Sequence, residues 1–242
     1  MNVIQPNWPA PANIHGFTTT RLGGVSEAPY DSFNLGDHVG DSEAHVSQNR
    51  QLLAECFNLP SSPIWLRQIH SPVCVKANAS HLHNEADGSY SRTPGEVCAV
   101  LTADCLPILI CNKQGSEVAA LHGGWRGLFA GIIANALTML DSSPEELLVW
   151  LGPAIGPNAF EVGPEVRDNF ISLIPTLAEA FKPGNGDRWY GDIYGIARQQ
   201  CQALGITAIY GGNYCTVSTP DLFYSYRRDG TTGRMASLIW MT

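Results

Sequence analysis

Three short segments of this chain carry side chains able to do chemistry. They are Gln68-Ile69-His70-Ser71, Thr102-Ala103-Asp104-Cys105-Leu106-Pro107 and Leu121-His122-Gly123-Gly124-Trp125-Arg126-Gly127. Each follows or interrupts an apolar run and holds a metal-capable or titratable residue. A charged aspartate beside a cysteine inside an apolar run is costly unless it is paired or used. Glycines placed directly after His122 allow another group to come close to the backbone there. Two imidazoles and one thiolate, from His70, Cys105 and His122, would make a catalytic-type zinc set. Three protein ligands leave the fourth tetrahedral position to water or substrate, and a water held there has a pKa near about 7. The intervals of 35 and then 17 residues match no local zinc motif. A plainer reading therefore stands beside the metal: Cys105 as a small buried hydrophobe and both histidines as satisfied core groups. The same two residues also suit a metal-free hydrolase, with Cys105 as nucleophile and His122 as base.

The elements that must position these groups read as strands alternating with a few helices. Residues 15–21 form a Thr-rich strand candidate, followed by glycine-rich loops at residues 22–25 and 34–41. Ser42 suits the cap of a helix running to about residue 58, with Val46, Leu53 and Phe57 on one face and Pro60 as its stop. Residues 63–70 read as a strand with Trp65, Arg67 and Ile69 alternating against Leu66, Gln68 and His70. Residues 97–102, 107–111 and 117–122 read as short buried strands. A helix apolar nearly all round is expected over residues 128–140. Ser143-Pro144-Glu145-Glu146 starts only a short turn, because residues 147–151 read as a strand. Two further helices are expected at about 163–174 and 193–203. Residues 222–240 read as two strands joined by an Arg-rich turn. Strands with interspersed helices and no regular βαβ alternation favour an α+β class with mixed sheets.

Composition bounds the function. The chain has 242 residues, 44% apolar and 15% charged, with no compositional break or repeat, so one domain spanning 1–242 is expected. The net charge of −8 argues against a general nucleic-acid binder. The N-terminus lacks the basic and apolar regions of a signal peptide, and the most apolar stretch, residues 97–111, is broken by Asp104 and Pro107 and too short for a bilayer. Seven cysteines without a tight C-x-x-C pair point to free thiols in a reducing cytoplasm. Cys56, Cys74, Cys98 and Cys111 read as buried hydrophobes. Eleven arginines stand against three lysines, and arginine is the better bidentate partner for phosphate. Arg21, Arg126, Arg227 and Arg228 fall in places of interest. A four-copper oxidase needs many imidazoles, whereas this chain has seven histidines and only one H-x-H, His81-Leu82-His83.

The three segments, with Trp65-Leu66-Arg67 ahead of the first, resemble the signature blocks of the YfiH family, whose members carry the laccase-domain or "polyphenol oxidase" label and are regarded as purine nucleoside phosphorylases. Thr20-Arg21-Leu22-Gly23-Gly24-Val25-Ser26, Asn34-Leu35-Gly36, Leu151-Gly152-Pro153-Ala154-Ile155-Gly156 and Ser225-Tyr226-Arg227-Arg228-Asp229 are similar to that family too, so the resemblance runs nearly end to end. It implies that His70, Cys105 and His122 bind Zn²⁺, with Cu²⁺ as an alternative occupant because Cu²⁺ tops the affinity order. It implies a layered α/β/β/α fold akin to the catalytic domain of cytotoxic necrotizing factor. The implied activities are phosphorolysis of adenosine, inosine, guanosine and methylthioadenosine, and adenosine deamination. Amide hydrolysis of cell-wall peptide precursors has been attached to some members. The H-x-E and P-C-x-x-C signature of zinc deaminases is absent, so any deamination uses a different scaffold. Residues 123–127 lead into a helix N-terminus where phosphate is expected, near Arg126. Asp104, beside Cys105, is a candidate proton shuttle or orienting group, with a purely structural aspartate as the alternative.

Overall fold

Burial on both faces is what the strands of the middle of the chain require, and the fold supplies it with two sheets stacked between helices. The computed structural model describes residues 1–78, 80 and 83–242, so His81 and Leu82 of the H-x-H motif lie outside the described residues. The elements, in order, are β1 (Val3–Ile4), β2 (Ile14–Thr19), α1 (Glu43–Cys56), β3 (Cys74–Lys76), β4 (Gly88–Ser91), β5 (Cys98–Thr102), β6 (Leu106–Asn112) and β7 (Val118–Gly123). They continue with α2 (Trp125–Phe129), α3 (Ile132–Leu137), β8 (Leu147–Leu151), β9 (Glu161–Val162), α4 (Pro164–Leu173), β10 (Phe181–Pro183) and β11 (Trp189–Gly191). The last four are α5 (Ile193–Ala203), β12 (Ala208–Gly211), α6 (Tyr226–Asp229) and β13 (Met235–Met241).

One sheet has the order β1-β2-β13-β5 and is antiparallel throughout; the other, β12-β8-β6-β7-β4-β3, mixes parallel and antiparallel pairs. A small sheet, β10-β11-β9, stands apart from both. Side-chain alternation assigns the layers. Leu109 and Cys111 of β6, Val118 and Ala120 of β7, and Leu148 and Trp150 of β8 face Cys98 and Val100 of β5 and Ile239 and Met241 of β13 between the two large sheets. The opposite face of the six-stranded sheet, with Ile108, Ile110, Leu121 and Val149, packs on Leu128, Ile132, Phe170 and Ile196 of the helices. The outer face of the four-stranded sheet, with Phe17, Leu101 and Leu238, packs on Leu53 of α1. The result is the α/β/β/α layering, of mixed α+β class, that the resemblance implies. Burial on both faces explains why these strands read as continuous apolar runs. No helix among the described residues is long and apolar enough to cross a membrane.

Several local expectations are corrected. Residues 63–70 form no ladder. Ile64, Trp65 and Leu66 are buried in succession, and the segment's backbone makes only two isolated bridges, Ile64 to Cys98 and Arg67 to Glu85. The Gln68 side chain replaces the missing partner: its Oε1 accepts from Leu101 N at 2.7 Å and its Nε2 donates to Leu101 O at 2.8 Å. Ser42 occupies the N-cap of α1, but its side chain makes no capping bond. The first strand expected near residue 222 is instead irregular chain ending in α6, which Ser225 caps by accepting from Arg228 N. Cys56 is exposed rather than buried. The helix expected over 128–140 is split into α2 and α3, because Gly131 takes a left-handed conformation with φ +89°.

That break fixes the sign of a mutational effect. In a continuous helix, Gly131→Ala would add about 1 kcal/mol of stability. At a left-handed position, with open space around the added Cβ, it should instead cost about 1 kcal/mol, read from the urea midpoint.

Candidate metal centre and active-site cavity

The three chemical segments converge. One ligand-capable atom from each of His70, Cys105 and His122 lies within 4.8 Å of the others, the one such trio of His, Cys or acidic side chains among the described residues. Cys105 Sγ is 3.7 Å from His70 Nε2. Two ligands at ordinary zinc distances on the corners of a tetrahedron stand about 3.5 Å apart. The donor set, borderline-soft sulfur with two imidazoles, also suits zinc. Both tests fit a metal here. His122 is buried, Cys105 partly so and His70 exposed, so the site is open on the His70 side.

Each ligand is placed by a different device. His122 sits near the end of β7 on the face shared with Val118 and Ala120, at the mouth of the gap between the large sheets. Cys105 immediately precedes β6, after Asp104 in a left-handed conformation at φ +87°. His70, also left-handed at φ +61°, lies on a loop. Gly124 makes the approach of the segments feasible: a Cβ there would lie 2.6 Å from His70 Cδ2 and 3.1 Å from Cys105 Sγ.

Asp87 was missed by sequence reading, and it holds two of the ligands. Its carboxylate is fully buried. His122 Nδ1 donates to Oδ1 at 2.7 Å, which leaves Nε2 as the free ligand atom. The backbone N–H groups of Ile69, His70 and Ser71 donate to the same carboxylate at 3.1, 2.9 and 2.6 Å, and Ser71 Oγ at 2.8 Å. This is the carboxylate–histidine arrangement that fixes tautomer and ring orientation at metal sites. The local sequence Glu85-Ala86-Asp87-Gly88 carries no signal of it, because its partners are 16 to 35 residues away.

The electrostatics follow from these contacts. Burial raises the Cys105 thiol, but the His122 charge and hydrogen bonds from both imidazoles outweigh it and bring it down to about 6. Burial lowers His122, yet the facing Cys105 thiolate and Asp87 lift it to about 9. Asp87, despite burial, is held at about 2 by His122 and Ser71. Cys74, Cys98 and Cys111 are buried in apolar surroundings, which raises their thiols, as expected of inert core groups.

The trio stands where two cavities meet. The larger, about 490 Å³, includes Gln68, Thr102, Arg126 and Arg234 in its wall. The smaller, about 270 Å³, includes Asp104, Trp125, Phe160 and Arg227. His70, Cys105, Arg126 and Tyr226 border both.

Of the four arginines singled out in the sequence, Arg126 reaches both cavities and Arg227 the smaller one. Arg21 and Arg228 do not line either. Arg21 bonds Asp31 and Pro220 O, and Arg228 is spent on Asp229 and on the carbonyls of Thr216, Val217 and Phe223. The structure adds Arg234, His38 and Tyr226, which sequence reading missed; nothing local distinguishes Arg234 from the chain's other arginines. Asp104 spends both oxygens on structure: Thr216 Oγ1 donates to one at 2.5 Å and Arg227 N to the other at 2.7 Å. That arrangement suits positioning of the Cys105 turn. The expected phosphate site at a helix N-terminus finds little support, since α2 is a single five-residue turn.

The whole of residues 15–242 matches the family described as multi-copper polyphenol oxidoreductase laccase. The chain is 50% identical over 240 residues to proteins of Shigella flexneri and Escherichia coli named purine nucleoside phosphorylase YfiH, covering 99% of this chain and 98% of theirs. The chain belongs to the YfiH family. The crystal structure of a Neisseria meningitidis protein of the DUF152 family superposes with TM-score 0.96 at 46% identity, covering 100% of this chain and 99% of that one. YlmD from Geobacillus stearothermophilus superposes with TM-score 0.94 at 30% identity, covering 100% and 96%. The name of the family's matching description implies several coppers; among the described residues this member offers one three-residue cluster.

Two outcomes follow from the site. Asp87→Asn places an amide against donors and should weaken zinc affinity by about 10- to 100-fold in a chelator competition; wild-type affinity would dismiss its orienting role. In metal-free protein, alkylation of Cys105 followed by peptide mapping should be half-maximal near pH 6, where an ordinary thiol titrates at about 8.5, and zinc should block it.

Proposed function

We propose that this chain is a zinc-dependent purine nucleoside phosphorylase of the cytoplasm, taking adenosine, inosine, guanosine and methylthioadenosine, with adenosine deamination as a second activity. The observation that carries the reading is the three-residue cluster, His70, Cys105 and His122, facing a cavity with no fourth protein ligand among the described residues. It is joined by 50% identity over nearly the whole chain to proteins named purine nucleoside phosphorylase. Seven free cysteines fit a reducing compartment.

In phosphorolysis the C1′–N9 bond breaks, a phosphate oxygen bonds to C1′, and the departing base nitrogen takes a proton, giving ribose 1-phosphate and free base. In deamination, water replaces the 6-amino group and ammonia leaves. A zinc ion with an open position supplies Lewis-acid polarisation of a substrate atom. The protein's share is to fix the ligand geometry through Asp87, to orient the substrate, and to attract the anion. Arg126 carries a guanidinium with no hydrogen-bond or carboxylate partner among the described residues. Asp104 keeps the Cys105 turn in place.

A metal-free amidase using Cys105 as nucleophile draws on the same lowered thiol. A copper oxidase would put Cu²⁺ in the same trio. Metal-quantified protein incubated with adenosine and phosphate separates them. Ribose 1-phosphate with adenine is expected, and inosine marks deamination. Neither product, with zinc bound one per chain, would defeat the nucleoside reading. Activity that survives chelation would favour the thiol enzyme, and activity gained only with copper the oxidase. Cys105→Ala should lose both zinc and turnover.

A further inference from the structure

The two cavities that meet at the metal trio differ in chemistry, and the difference assigns the two substrates. The larger contains no carboxylate in its wall, although the chain as a whole carries a net charge of −8. It presents two guanidiniums, Arg126 and Arg234, with the His38 imidazole. Neither arginine has a carboxylate partner among the described residues. Arg234 uses only Nη1, on the carbonyls of Thr232 and Gly233, which leaves Nε and Nη2 unspent. Thr102 supplies a second observation. It belongs to the same wall, is almost wholly buried, and its hydroxyl has no hydrogen-bond partner. A buried hydroxyl without a partner is a group waiting for a ligand or water.

The smaller cavity is lined by Trp125, Phe160 and Tyr226, with Ile155 and Ile193. It shares Arg126 with the larger cavity, but unlike that cavity it also holds a carboxylate, Asp104, beside Arg227. Arg227 donates to the carbonyls of Ala159 and Glu161, and Asp104 accepts from Thr216 and Arg227 N. Flat apolar walls suit an aromatic heterocycle, and the Asp104 carboxylate in this wall disfavours an anion. Two arginine–aromatic pairs mark the border between the cavities. Arg126 Cζ lies 4.4 Å from the Trp125 ring centre and Arg234 Cζ 6.0 Å from that of Tyr226. Each ring backs a planar fork, which orients it for a bidentate oxyanion.

We propose that inorganic phosphate binds in the larger cavity between Arg126 and Arg234, and that the purine is held in the smaller one against Phe160, Trp125 and Tyr226. The nucleoside then crosses the border beside His70 and Cys105, with its ribose directed toward Thr102. This assignment rests on the phosphorolysis reading.

The test measures inorganic phosphate alone by calorimetry on zinc-loaded protein, and nucleoside KM separately. Arg126→Met and Arg234→Met should each weaken phosphate at least about tenfold, while Phe160→Leu leaves it unchanged. Phe160→Leu should raise nucleoside KM by about three- to tenfold. Zinc content and the thermal midpoint verify that each variant is folded; should Arg234→Met fail there, Arg126→Met and Arg234→Lys carry the comparison. Phosphate binding at wild-type strength in both arginine variants would overturn the assignment, as would no phosphate binding by the wild type, or equal loss in Phe160→Leu. Phosphate lost only in the arginine variants, with no nucleoside cleaved by the wild type, keeps the anion site and discards the phosphorylase reading.

Discussion

One buried carboxylate organises the centre. An unpaired Asp87 in the interior would be prohibitively costly, and five donors remove that cost while doing positional work. Three consecutive backbone N–H groups of the loop at residues 69–71, the Ser71 hydroxyl and His122 Nδ1 all converge on it. The loop carrying His70 has no ladder to hold it, so Asp87 supplies what a neighbouring strand would otherwise provide. The same oxygen that orients His122 also anchors His70 through its backbone. Two candidate metal ligands from distant parts of the chain, the His122 ring and the His70 backbone, are therefore anchored by one side chain.

The layers explain why the site lies where it does. Two sheets sealed against each other by Leu109, Val118, Trp150 and Ile239 leave the candidate ligands at the end of the sandwich. His122 lies near the end of β7, Cys105 just before β6 and Thr102 at the end of β5, so three strands deliver their termini to one mouth. Backbone at that mouth is bent sharply. His70 and Asp104 both sit at positive φ, which persists because Asp87, Thr216 and the Arg227 N–H hold the two turns from outside.

Charge is partitioned with equal economy. An acidic chain keeps carboxylates out of the larger cavity and neutralises those near the smaller one by local bonds. Arg21 and Arg228, equally suggestive in the sequence, are consumed by carbonyls and carboxylates that stabilise loops. An arginine with its hydrogen bonds already made is scaffold; one with donors unspent beside a cavity is available to a ligand. The single candidate trio among the described residues would make a mononuclear centre, whatever ion filled it, where the family's description names several coppers.

What the sequence determined by itself was local chemistry: which residues can bind a metal, where apolar runs make buried strands, and that His122 is followed by glycines permitting close approach. The central strands, α4 and α5 were legible because burial and capping leave a periodic record within a few residues. So was the grouping of His70, Cys105 and His122, once the three blocks resembled a known family. Tertiary structure alone decided the rest. Asp87 has no local signature, since its partners arrive from both sides of it along the chain. The helix break at Gly131 depends on a backbone angle that an apolar run conceals. The fate of each arginine rests on which carbonyl or carboxylate folding brings within reach, and contacts between residues a hundred or more positions apart, such as Asp104 with Thr216, leave no imprint on either neighbourhood.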